Sequence, residues 1–168
     1  MYDPFLLADM DKAVVFIKDA VRSGRRICVY GDYDVDGVTA TTLLSTYLRS
    51  RGANCTCFIP ERISEGYGLN SEAIKTISRQ CDVIITVDTG ITAVEEVEYA
   101  RSLGVDVVIT DHHSCRDVLP AAVAVVDPYR VDDSYPYKAL AGVGVVFKLV
   151  CALEGNSAKM LEEYAELV

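Results

Sequence analysis

Aliphatic runs recur along the chain, and between them the apolar positions return every third or fourth residue. The runs at 27–33 (ICVYGDY), 55–59 (CTCFI), 82–88 (DVIITVD), 106–110 (DVVIT) and 122–127 (AVAVVD) read as strands, the last three of them rich in Val and Ile. Helical spacing occupies 39–52, 71–80 and 91–104. The first and third of these stop at a glycine, and the second opens at a cap supplied by Asn70 or Ser71. Strands that are apolar on both faces, alternating with amphipathic helices, predict βαβ units. The fold class is therefore α/β, doubly wound, with a mainly parallel five-stranded sheet and helices on both faces.

Beyond the strands, the polar stretch 129–137, flanked and interrupted by Pro128 and Pro136, reads as a surface loop. Residues 139–155 read as a buried helix and 156–168 as an amphipathic one that reaches the last position without a cap, which suggests a polypeptide that continues. Neither internal repeats nor low-complexity segments are found.

With 168 residues, 51% of them apolar, one compact domain is expected. No apolar run approaches the ~18 residues of a bilayer span, and the opening MYDPFLLADMDK lacks the parts of a signal peptide, so a cytoplasmic location is expected. Six cysteines, at 28, 55, 57, 81, 115 and 151, form no CxxC pair and no Cys/His ladder. Reduced, mostly buried thiols are expected. A net charge of −9 argues against non-specific binding of polyanions. It does not exclude a nucleic-acid enzyme, because divalent cations held by acidic side chains reverse the local field.

In an open parallel sheet, ligands bind outside the carboxyl ends of the strands. The first strand runs into Asp32, Asp34 and Asp36 of GDYDVDG; the third ends at Asp88 of VDTG; the fourth delivers Asp111, His112 and His113 of TDHH. Each motif alone has a plain structural explanation: an Asp-rich turn capping a helix, a turn aspartate before Thr89 and Gly90, a hydrogen-bonded histidine. Together they bring carboxylates and imidazoles to one sheet edge, where they would repel one another unless protons or cations neutralise them. Oxygen and imidazole ligands without thiolate suit Mn²⁺ or Mg²⁺. Two such ions ~3.5–4 Å apart can activate water and hold a phosphoryl group. An EF-hand is excluded, since the twelfth loop position is Leu43 and a strand-like run precedes the loop. GxSxG, the P-loop and HExxH are absent. GVGVVF (142–147) only imitates a dinucleotide fingerprint, and tight helix packing explains its glycines better.

GDYDVDG, VDTG and TDHH, in that order, resemble the first three motifs of the DHH phosphoesterase superfamily. PERISEGYGLN (60–70), TAVEEVEYARSLGVDVVITDHH (92–113) and LAGVGVVFKL (140–149) are similar to its branch of single-strand-specific 5′ to 3′ DNA exonucleases, as is DPFLLADMDKAV near the start. The resemblance implies a metal-dependent hydrolase of single-stranded DNA that uses a two-ion Mn²⁺ or Mg²⁺ site and works in repair and recombination. It implies Asp34, Asp36, Asp88 and His112 as metal ligands, with Asp36 and Asp88 the candidates to bridge both ions. His113 would contact the scissile phosphate or assist the leaving oxygen. Asp32 and Asp111 could be direct ligands or carboxylates that orient one. Substrate contacts would come from Arg62, Tyr67 and Gly68, although that loop also reads as glycine-set turns with a solvated arginine. A fourth Asp-bearing motif and further C-terminal domains, also implied, lie outside this sequence, so an N-terminal fragment is expected. Other phosphoesterase activities within the superfamily, on oligonucleotides, cyclic dinucleotides or nucleotides, and a catalytically silent scaffold are the alternatives.

Overall fold

Alternation within each strand builds the sheet. In the computed structural model, which describes residues 1–60 and 68–168, β1 (Arg26–Gly31), β3 (Val83–Val87) and β4 (Asp106–Thr110) are buried along almost their whole length. Their odd and even positions serve different cores. Ile27, Val29, Val83, Ile85, Val87 and Val108 join one hydrophobic cluster, while Cys28, Tyr30, Ile84, Val107 and Ile109 join the other. Burying each such aliphatic side chain is worth about 1.5–3 kcal/mol, and both faces are needed because a parallel sheet has no wet side.

β2 (Asn54–Phe58) and β5 (Ala124–Val126) complete a five-stranded sheet in the order β2-β1-β3-β4-β5, with every pair parallel. One face packs against α1 (Met10–Arg22), α2 (Val35–Ser50) and α5 (Gly142–Glu154); the other packs against α3 (Ser71–Ile77) and α4 (Val94–Ser102). A short α6 (Ser157–Tyr164) covers the end of α5. The α/β doubly wound expectation is met. The order reverses at β1, whose neighbours β2 and β3 lie on opposite sides, and ligand sites of such sheets open at that crevice.

Several boundaries differ from the sequence expectation for local reasons. α2 starts four residues early, because the Asp34 Oδ1 accepts from the Gly37 amide at 2.9 Å and caps the helix inside the acidic motif. α4 starts three residues late: the Ile91 amide donates to Asp111 Oδ2 at 2.9 Å instead of entering the helix. The Asn70 side chain is the cap of α3. Helix α1 was not expected at all. Its buried Met10, Ala13, Val14, Ile17 and Ala20 repeat at helical spacing, and Asp9 before it ties it to β5 through Arg130 Nη1 at 2.7 Å and the Val125 amide at 3.2 Å. All six cysteines are free thiols, as expected, but only Cys28, Cys81 and Cys151 are buried. Among the described residues no helix is long and apolar enough to cross a membrane.

Candidate metal centre

Asp32 and Asp88 lie one residue past the ends of β1 and β3, and these strands are hydrogen-bonded neighbours, so the two carboxylates meet at the reversal crevice. Asp88 is 1% exposed and takes a left-handed backbone conformation, φ +60°, which ordinary residues avoid unless the surroundings impose it. The turn aims its carboxyl back over the sheet edge. Ligand atoms of Asp32, Asp34 and Asp88 come within 4.8 Å of one another, and so do those of Asp88, His112 and His113. Asp88 belongs to both groups.

The sheet edge meets helix α5 here. Asp36, in the first turn of α2, accepts from the Gly142 amide through Oδ2 and from the Val143 amide through Oδ1, each at 2.7 Å. His112 Nε2 stands 2.9 Å from Asp88 Oδ1 and 3.5 Å from Asp36 Oδ2. Despite that approach, Asp88 Oδ1 is buried and makes no hydrogen bond among the described residues. A buried carboxylate oxygen without a donor is costly, whereas two ligand atoms facing the same space without bonding each other are what a shared cation requires. The donor set, oxygen and imidazole only, fits a divalent ion of the Mn²⁺ or Mg²⁺ kind.

The electrostatics agree. Burial first, and then the charges of Asp36 and Asp34, push the Asp88 carboxyl up to about 8. His113 goes the other way in charge: its Nδ1 lies 2.6 Å from Asp111 Oδ1, and that bond holds the imidazole up at about 9. Asp111 is 1% exposed and its acceptors are taken, Oδ2 by the Ile91 amide and Oδ1 by the His112 and His113 amides and the His113 ring. It therefore holds the His113 ring at Nδ1 and the His112 backbone at its amide. The Asp32 Oδ1 accepts from the Tyr33 amide at 2.7 Å.

Beside Asp111 and His113 lies a cavity of about 390 Å³, walled also by Gly68, Thr89, Thr92 and Arg116. Gly68 is at φ +86°, and its carbonyl accepts from the Tyr30 hydroxyl at 2.9 Å. Arg62 and Tyr67 lie outside the described residues. Two contributors escaped the sequence reading. Asp127 follows β5 as Asp88 follows β3; it is fully buried, and burial pushes it up to about 7, with Asp111 close enough to add to the shift. Its Asp-after-strand pattern was the available signal. The other is Gly142. It was assigned to helix packing, but a Cβ there would stand 2.5 Å from Asp88 Oδ1, so the glycine belongs to the site.

The chain is 46% identical, over 167 residues, to the single-stranded-DNA-specific exonuclease RecJ of Bacillus subtilis (strain 168), covering 99% of this chain and 21% of that protein. The crystal structure of an exonuclease RecJ bound to manganese superposes with a TM-score of 0.82 at 37% identity, over 89% of this chain and 38% of that one. RecJ of Thermus thermophilus in complex with Mn²⁺ gives 0.78 at 34% identity, over 96% and 23%. The chain thus spans about a fifth of the length of its Bacillus relative. Residues 26–168 match the family described as "DHH family, N-terminal domain", and the chain belongs to the DHH family.

Proposed function

We propose that this chain is the metal-holding N-terminal domain of a 5′ to 3′ exonuclease acting on single-stranded DNA, in repair and recombination in the cytoplasm. The observation that supports it best is the sharing of Asp88 by two ligand groups at one sheet edge, with a buried oxygen that makes no hydrogen bond among the described residues. Asp34, Asp36, Asp88 and His112 would hold Mn²⁺ or Mg²⁺, with Asp36 and Asp88 the candidates to be shared and Asp32 beside them. Bound there, such ions supply Lewis acidity and a water that ionises near neutral pH.

The chain's own groups do the rest. His113, cationic through Asp111, sits where it can contact a non-bridging phosphate oxygen or give a proton to the leaving oxygen. Asp111 keeps the ring in that orientation. The cavity reaching from His113 to Gly68 accepts the strand. Around it stand the hydroxyls of Thr89 and Thr92, the Glu96 carboxylate and the Arg116 guanidinium, beside the glycines at 68 and 90.

The test is Mn²⁺-dependent release of mononucleotides from a 5′-labelled single strand, measured on the longest natural polypeptide that contains this domain. Asp88→Ala should abolish the release. Unchanged activity in that variant would sink the assignment, and products confined to di- or trinucleotide substrates would favour a different phosphoesterase of the family.

A further inference from the structure

Helix α5 begins against the acidic cluster, and its first two residues do different things there. The Gly142 and Val143 amides both donate to Asp36, at 2.7 Å each. First-turn amides have no partner inside their own helix, so these bonds cost α5 nothing and bring its positive end to the carboxylate. Gly142 is also pressed against Asp88: an added Cβ would meet Oδ1 at 2.5 Å, Cβ at 2.6 Å and Cγ at 2.7 Å. The backbone of Gly142 does not lie in the left-handed region, so the position needs the space and not the conformational freedom of glycine. Asp88 cannot retreat, being 1% exposed and fixed by its φ of +60°.

We propose that Gly142 and the Val143 amide are positioning groups of the metal centre: the start of α5 sets Asp36 from one side, and the missing Cβ leaves Asp88 the room to share an ion with His112. The proposal rests on reading the cluster as a cation site. It accounts for a glycine opening a long buried helix where alanine would suit the helix better.

Gly144 supplies the control. It lies two residues on in the same helix, and a Cβ there meets only the flexible Leu140 side chain, at 3.3 Å. Mn²⁺ binding to the chain, measured by calorimetric titration, should weaken at least tenfold in Gly142→Ala and stay within twofold of the parent in Gly144→Ala. The two variants and the parent should melt within a few degrees of one another in chelator. Should Gly142→Ala melt far lower, Val143→Pro decides, since it removes one donor to Asp36 at a helix position that tolerates proline; a several-fold weaker Mn²⁺ affinity is expected, and parental affinity refutes the role. Gly142→Ala binding Mn²⁺ as tightly as Gly144→Ala overturns the inference while leaving the metal centre intact. Asp88→Asn binding Mn²⁺ like the parent overturns the metal centre itself, and with it any task for Gly142.

Discussion

Raising the pH from 5 to 8 should destabilise the metal-free protein, and Mn²⁺ should reverse the loss. Asp88 is the source. Its carboxyl is 2% exposed and is pushed up to about 8, so the folded state holds its proton far more tightly than the unfolded chain. The stability linked to that proton is complete below the unfolded value of ~3.9 and is lost as the pH climbs through 8. Between pH 5 and pH 8 the loss from this one group comes to roughly 3–4 kcal/mol. At the ~2–4 °C per kcal/mol typical of domains this size, that is a fall in Tm on the order of 10 °C. His113, up at about 9, and Asp127, up at about 7, lose stability in the same direction. Asp82 and Glu154, both pulled down to about 2 by their arginine or lysine partners, gain theirs below pH 5 and do not oppose the trend.

Scanning calorimetry of chelator-treated protein at pH 5, 6, 7 and 8, at one ionic strength, measures the slope. Asp88→Asn removes the ionisation but keeps the size, so its Tm should fall less with pH and exceed the parent's at pH 8. Saturating Mn²⁺ should raise the parent Tm most at pH 8, where fewest protons compete, and leave Asp88→Asn nearly unmoved. A variant with the parental pH slope, or with an equal response to Mn²⁺, would refute the claim that Asp88 is both the strained acid and the shared ligand.

Asp111→Asn should lower the His113 midpoint from about 9 toward ~6.5, followed by the imidazole proton resonances, because the bond at 2.6 Å supplies most of the upward shift. Asp127→Asn should stabilise the chain at pH 8 by on the order of 1–3 kcal/mol, read from urea unfolding, since the amide keeps the Tyr129 hydrogen bond without a buried charge; a loss of stability at that pH would contradict it. Ile17→Ala should cost about 2–4 kcal/mol in the same assay, because Ile17 is 1% exposed in the main core and its removal leaves a cavity between helix and sheet.

The parts of the fold legible in the sequence were those where one physical rule acts alone. Doubly buried strands announce themselves as Val/Ile runs, which marked β1, β3, β4 and β5, while the largely exposed β2 showed only as the short run CTCFI; the three acidic motifs followed from asking what lies past the strand ends. α1 was missed although its apolar spacing is regular, and the ties from Asp9 to Arg130 and Val125 that hold it in place span more than a hundred residues. The late start of α4 is equally non-local, being imposed by Asp111 from the next strand. Gly142 shows the same limit. Local pattern assigns it to packing within a helix bundle, and only the folded approach of α5 to β3 reveals that its neighbour is a carboxylate.

The cluster also explains why one aspartate and not another should be the hinge of metal binding. Asp36 lies in the first turn of α2 and accepts from the first turn of α5, so two helix starts face its charge. The Asp34 Oδ1 caps α2. Asp88 receives no such backbone help: it follows a strand, its Oδ1 is buried and makes no hydrogen bond among the described residues although His112 Nε2 stands 2.9 Å away, and its nearest charged neighbours include two carboxylates. The backbone has neutralised much of the cluster, and Asp88, the carboxyl that both ligand groups share, is left with a buried oxygen that makes no hydrogen bond among the described residues. A cation that meets that oxygen gains most from Asp88, which is why removing this side chain should uncouple metal binding from stability even if every other acidic residue stays in place.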